Sequence, residues 1–222
     1  MTKDETMALR WVVTAVVLAG GVAFLLRRKA VTEMQTTTNL PVVRLMLGDD
    51  YEKVRQQSTF QFPRRELGRV DLIGASVPVI FEYTRPGSEF TLPAARSFAA
   101  SVDDNHIISV TVSPQLAYIS PEAALALVHQ LAQLLEQSAW KMSKRYLSNA
   151  QARARLEDAS QDSDVTLRVE DWSRGDDAVY LEVSRQWRKE DSLPTAAGKN
   201  YDFCVVAVKI DNDKVRAMYP GR

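Results

Sequence analysis

Residues Trp11 to Leu26 read WVVTAVVLAGGVAFLL, sixteen consecutive side chains without a charge and with Thr14 as the one polar group. A bilayer-spanning helix needs about 20 predominantly apolar residues, with a lower bound near ~17. Arg10 and Arg27 close the gap, because their aliphatic stems let the charged heads reach the two interfaces. Trp11 stands where an interfacial aromatic belongs. A cleaved leader would need an apolar region of about 7–15 residues followed by a small-x-small site, whereas this run ends in Leu25-Leu26-Arg27-Arg28-Lys29. A lipoprotein would need a cysteine directly after the run, and the chain's single cysteine is Cys204. A buried core helix would not be apolar all round and then flanked by Arg-Arg-Lys. The expectation is an uncleaved single-pass anchor over residues 11–27. A tail (1–10) precedes it, and a polar linker (28–40) containing Thr36-Thr37-Thr38 leads to one soluble domain over 41–222.

Sidedness is finely balanced. Arg27, Arg28 and Lys29 outnumber Lys3 and Arg10, which favours a cytoplasmic domain under the positive-inside rule. The free α-amino group nearly levels that count. An exported N-terminus would also carry Lys3, Asp4, Glu5 and Arg10 across. The expectation is a cytoplasmic N-terminus and a periplasmic domain. Ala15, Ala19 and Ala23 recur at four-residue spacing, which lets two membrane helices approach closely; alanine is also simply common in such helices.

The remaining chain is long enough to bury a core without staples. Lys plus Arg equals Asp plus Glu at 28 each, so nothing points to bulk nucleic-acid binding. Asp49-Asp50-Tyr51-Glu52 reads as a helix start, with Asp49 as cap and Glu52 three residues on; Pro63 bars that helix from running further. Val70–Ile73 and Val77–Thr84 read as strands. Arg85-Pro86-Gly87-Ser88 reads as a type II turn returning through Glu89–Leu92, and His106–Val112 as a further strand. Ser120-Pro121-Glu122 opens the clearest soluble helix, with Leu125, Val128, Leu131, Ala132, Leu135 and Ala139 on one stripe. A shorter helix spans Ala150–Ala159, with Asn149 as cap. Val165, Leu167 and Val169 alternate with polar residues, as do Val179, Leu181 and Val183, so an antiparallel hairpin is expected. Tyr201–Ile210 reads as a central strand. Strands in runs, not alternating with helices, imply an α+β fold: a mainly antiparallel sheet with one long amphipathic helix packed on a face.

No phosphate loop, dinucleotide fingerprint or nucleophile elbow is present. Two histidines and one cysteine supply no metal pair. Asp211-Asn212-Asp213 and Asp176-Asp177 read as turn acids, and no cofactor is expected. Cys204 reads as a small buried hydrophobe, and His129 as a partly exposed helix residue. His106 beside Asp103 and Asp104 is loop and edge polarity in its bland reading and a pH-sensitive or catalytic group in its sharper one. Trp172, Arg174, Tyr180, Arg185 and Trp187 gather on or near one expected hairpin, and Tyr83 and Arg85 flank another. Trp, Tyr and Arg are the side chains most enriched at binding hot spots, although both tryptophans also suit a core. Leu47-Gly48-Asp49-Asp50-Tyr51-Glu52-Lys53-Val54 resembles the helix start of small envelope-assembly domains of the outer-membrane lipoprotein SmpA type. The resemblance covers under a tenth of the chain, and the lipobox cysteine and downstream Gly-Pro pairing are absent.

These features point to a membrane-anchored, non-enzymatic protein binding a protein partner at a bacterial inner membrane. It would serve as an envelope or secretion assembly factor, or as a toxin-neutralising, immunity-type protein. The alternatives are a hydrolase using His106 with Asp103 or Asp104, and a sensor binding a small ligand or lipid in a cavity between helix and sheet.

Overall fold

In the computed structural model the described residues are 40–64, 71–75, 77–158, 164–188 and 201–218, and all but Leu40 belong to the unit that begins at Pro41. The expected anchor over 11–27, with Ala15, Ala19 and Ala23, lies outside the described residues. Among the described residues no helix is long and apolar enough to cross a membrane. The elements in chain order are β1 (Val42–Leu45), α1 (Tyr51–Gln57), β2 (Asp71–Ala75), β3 (Ile80–Tyr83), β4 (Phe90–Thr91), β5 (Ser97–Asp103) and β6 (His106–Ser113). The chain continues through α2 (Pro121–Gln137), β7 (Lys141–Arg145), α3 (Asn149–Asp158), β8 (Val165–Arg174), β9 (Asp177–Arg188), β10 (Tyr201–Asn212) and α4 (Asp213–Met218). The fold is α+β, with mostly antiparallel sheets and a few helices.

Seven strands form one antiparallel sheet in the order β2-β5-β6-β10-β9-β8-β7. The near-continuous apolar segment β10 is its middle strand, as its composition requires. A smaller sheet, β1-β3-β4, joins β1 to β3 in parallel and β3 to β4 in antiparallel register. The β3–β4 link is the expected turn: Gly87 has φ 77° and the Ser88 amide donates to the Arg85 carbonyl at 3.0 Å. The β5–β6 hairpin turns on Asp104 (φ 42°) and Asn105 (φ 67°), two left-handed residues in succession, which matches the twist of the flanking strands.

The long helix forms as its sequence dictates. Ser120 Oγ accepts from the Ala123 amide at 3.3 Å, Pro121 occupies the first turn, and Ala124, Leu125, Val128, Leu131, Ala132 and Leu135 are buried. That stripe lies against β9 and β10. The helix ends through Ala139 at φ 60°, with the Trp140 amide donating to the Leu135 carbonyl at 3.0 Å; this is the left-handed exit usually given to glycine. Two expected caps move by one residue. Asp50, not Asp49, caps α1, accepting from the Glu52 and Lys53 amides. Asp49 is instead buried, taking the Met46 amide at 3.0 Å and Lys53 Nζ at 2.6 Å. Ser148, not Asn149, caps α3. Its Oγ takes the Gln151 amide at 3.3 Å while Gln151 Oε1 takes the Ser148 amide at 2.9 Å, a reciprocal capping box.

Two polar arrangements hold the sheets in place. Buried Asp177, opening β9, accepts from the Tyr83 hydroxyl at 2.5 Å and from Asn212 Nδ2 at 2.5 Å, and ion-pairs with Arg85. Tyr83 also packs against Phe90 and Trp140, and the Trp140 indole donates to the Ser88 carbonyl at 3.2 Å. The β3–β4 hairpin is thereby fastened to the end of the large sheet. The second arrangement concerns β10, which pairs with β6 only from Val208 to Asp211. On the N-terminal side of Val208 the Gln115 side chain takes the place of a strand. Its Oε1 accepts from the Val206 amide at 2.8 Å and its Nε2 donates to the Cys204 carbonyl at 3.1 Å, while Ile119 bridges Cys204.

Candidate protein-docking face

The helix α2 and the apolar residues of each strand lie on one side of the large sheet, and the strand registers define what faces the other way. One row across the sheet reads Lys144, Asp171, Tyr180, Lys209, Thr111, Ala99 and Gly74. A neighbouring row reads Ser173, Ala178, Asp211, Ser109, Ser101 and Leu72. All of these described side chains are partly or fully exposed except Asp171. The face is therefore asymmetric. Its β2-β5-β6 side carries glycine, alanine, serine and threonine with one exposed leucine, Leu72, at the edge, whereas its β7-β8-β9 side carries tyrosines and charges. At Gly74 a Cβ would overlap the Phe98 carbonyl oxygen, so β2 hugs β5 only because this residue has no side chain.

On the bulky side a compact platform forms. Arg168 Nε donates to Asp171 Oδ1 at 2.5 Å, and its guanidinium carbon lies 3.8 Å from the Tyr180 ring centre and 5.4 Å from that of Tyr146. Tyr146 donates its hydroxyl to Asp171 Oδ2 at 2.8 Å, and Lys144 Nζ lies 4.2 Å over the Tyr146 ring. Burial, reinforced by the charge of Asp211, pushes the Tyr180 phenol above its ordinary pKa. A bulge in β8 between Arg168 and Glu170 makes the platform, since residues three apart on a regular strand point to opposite faces. Beyond it, every residue of the edge strand β7 is exposed, from Lys141 through Met142 to Arg145. Tyr146 is 39% exposed, so the platform offers aromatic and cationic surface in a fixed geometry.

Of the residues singled out from sequence, Tyr180 stands on this platform. Trp172 is buried, its indole donating to Glu170 Oε2 at 3.1 Å. Arg185 is also buried and donates to the Leu156 carbonyl. Tyr83 and Arg85 belong to the Asp177 cluster, where burial pushes the Tyr83 phenol well above its usual value. Arg174 donates to the Ser138 carbonyl at 3.2 Å at the end of α2. The backbone of Trp187 pairs with Asp202, and its side chain lies outside the described residues. The structure thus divides the seven: one at the open face, three tied into the β3–β4 contact or the helix end, two inside, and one outside the described residues. Arg168, Tyr146 and Lys144 complete the platform and were not singled out; the signal was their spacing around a bulge, invisible to a two-residue alternation.

His106 pairs in register with Asp103, and its Nδ1 faces the Asp104 carbonyl oxygen at 2.8 Å, so the ring folds back on its own turn. Asp103 is buried, and its Oδ2 has no hydrogen-bond partner among the described residues. His129 is exposed and lies 3.2 Å from Gln133 Nε2, and Cys204 is fully buried. Among the described residues no group of three or more His, Cys, Asp or Glu side chains is placed to hold a metal ion. Two adjoining clefts, of about 350 and 340 Å³, open on the small-residue side of the sheet face and share Ser97 and Ser113. They lie outside the sheet and not between helix and sheet. Comparison with protein-family models, with curated proteins and with solved structures found no match to this chain.

Proposed function

We propose that this chain is a membrane-tethered, non-enzymatic binding protein. Residues 11–27 would anchor it in a bacterial inner membrane, residues 28–40 would space it, and the α+β domain would meet a protein partner on the periplasmic side. Envelope or secretion assembly, or neutralisation of a toxin acting there, is the setting that fits. The observation that carries the reading is the Tyr146–Arg168–Tyr180 platform on a sheet face that the domain's own helices leave open. Tyrosine and arginine dominate binding hot spots because they offer large contact area and directed hydrogen bonds together. Here Asp171 and two rings already fix the guanidinium, so little side-chain freedom is left to lose on docking. The sixteen-residue uncharged run supports a membrane setting for such a surface, and the Ala15/Ala19/Ala23 face offers a route to self-association.

The test uses the full chain in membranes, with a photo-crosslinking residue placed at Lys141, whose strand partner Ser173 lies on the open face beside the platform. Wild type is expected to yield one dominant adduct, which disappears when Arg168 and Tyr180 are changed to alanine while the thermal melt is retained. An adduct of unchanged yield in that double variant rejects the reading. Intact full-length protein that stays in the supernatant after detergent-free lysis and ultracentrifugation would reject the tether. An active C-terminal alkaline phosphatase fusion supports the periplasmic placement, and an inactive, well-expressed fusion rejects it.

A further inference from the structure

The fork where Gln115 replaces the missing β6 pairing opens the larger cleft, whose walls include Ser113 at the end of β6 and Val205 in β10. Arg96 and Tyr118 form its most specific feature. The Arg96 guanidinium carbon lies 4.0 Å over the Tyr118 ring, and Tyr118 in turn packs on Phe203 with ring centres 3.8 Å apart and planes tilted by 33°. The cation is therefore seated against an aromatic column. Among the described residues no carboxylate pairs with Arg96, and the Ser97, Ser113 and Gln186 side chains that share the cleft have no hydrogen-bond partner. Uncommitted donors around a fixed guanidinium, with Leu116 and Val205 supplying apolar wall, are the composition of a small-ligand site: a concave pocket with a few convergent polar groups. Its volume of about 350 Å³ suits a molecule of amino-acid size.

We infer that this cleft binds a carboxylate attached to a short aliphatic body. The planar guanidinium matches a carboxylate with two parallel hydrogen bonds, the serine hydroxyls and Gln186 complete the ring of donors, and Leu116 faces the aliphatic part. The site shares no residue with the tyrosine platform and stands or falls independently of the partner reading. The carboxylate has two possible sources, a free small acid or the C-terminus of a peptide chain.

The experiment titrates the full-length protein in detergent with N-acetyl-leucine, with its neutral amide, and with a pentapeptide ending in leucine, by amide and side-chain NMR shifts. Saturable binding of the acid with shifts at Ser113 and Val205, at least about tenfold tighter than the amide, is expected. Tighter binding of the pentapeptide assigns the source to a chain terminus, and equal or weaker binding assigns it to a free acid. Arg96→Gln is expected to weaken the acid about ten- to hundredfold and leave the amide unchanged. Arg96→Lys, which keeps the charge but loses the fork, should lie between. Equal affinity for acid and amide, no saturable binding of either, or full affinity in Arg96→Gln overturns the assignment. Ser113→Ala, which removes one donor without disturbing the aromatic column, covers the case in which an Arg96 variant fails to fold; acid affinity unchanged there also counts against it.

Discussion

The Tyr83 hydroxyl donates to the Asp177 carboxylate at 2.5 Å across a separation of 94 residues. Arg85 and Asn212 converge on the same carboxylate, so one buried acid ties β3, β9 and the end of β10 together. Asp177→Asn keeps the shape and removes the charge, leaving the Arg85 guanidinium facing a neutral group. Breaking one side of a buried ion pair is costly because the other charge stays desolvated. With Arg85 one-third exposed, the loss should be about 2–4 kcal/mol, read as a lower urea midpoint at unchanged slope.

The same cluster sets an alkaline limit. Burial first, then the hydrogen bond and charge of Asp177, push the Tyr83 phenol above its ordinary pKa, while the Arg85 hydrogen bond opposes the rise. In the unfolded chain the phenol ionises from about pH 10, whereas in the folded domain it stays neutral. The stabilisation is complete below that pH and is lost as pH climbs through the folded value. Tyr83→Phe should therefore flatten the fall of stability above about pH 10; parallel wild-type and variant curves in pH-dependent thermal melts would contradict this.

At the platform, Tyr180→Ala or Arg168→Ala should each weaken partner binding by about 2 kcal/mol, roughly thirtyfold. Both side chains lie on the partly exposed side of the sheet, so the domain itself should lose no more than about 1 kcal/mol. Titration calorimetry against the cross-linked partner, paired with thermal melts, separates the two effects.

Ala139 exits α2 at φ 60°, a conformation that costs a residue with a Cβ about 1–2 kcal/mol. Part of that is returned by the lower unfolded-state freedom of alanine, so Ala139→Gly should stabilise the domain by about 0.5–1 kcal/mol. A raised melting temperature checks it.

Gln115→Leu keeps the volume but orphans the buried Val206 amide, while the Cys204 carbonyl keeps the Ile119 amide at 3.4 Å. An unsatisfied buried backbone group costs about 1–3 kcal/mol, so a loss of about that size is expected in urea unfolding.

The sequence displayed the elements whose local signals agree with their tertiary use. Ser120-Pro121-Glu122 opened α2, the alternation in β8 and β9 marked the hairpin, and Tyr201–Ile210 declared itself as the middle strand. Three strands escaped: the four-residue β1, β5 and β7. In β7 the residues Lys141-Met142-Ser143-Lys144-Arg145 form an edge with every side chain exposed, so no apolar alternation marks it; lysines on an edge protect it from pairing with other chains. In β5 the inward set is Phe98, Ala100 and Val102, but the run Ala99-Ala100-Ser101 between the two strand formers dilutes the signal. The face itself was illegible for a different reason. A regular strand would put Trp172 on the side opposite Val169, yet the bulge after Arg168 buries both and swings Asp171 outward toward Arg168. Three-dimensional register, and not residue type, selected which tyrosines and arginines reach the surface.

A side chain that completes a strand behaves differently from a strand. Upward from Val208, β10 is zipped to β6 by successive backbone pairs, which open only together; at Val206 a single glutamine rotamer must turn. Nearby amides of one strand should therefore differ in hydrogen exchange, with Val206 released by a local fluctuation while Ile210 waits for larger openings. On its β6 side, the end of β10 nearest Arg96 thus hangs on one side chain where the rest of the strand is held by a ladder.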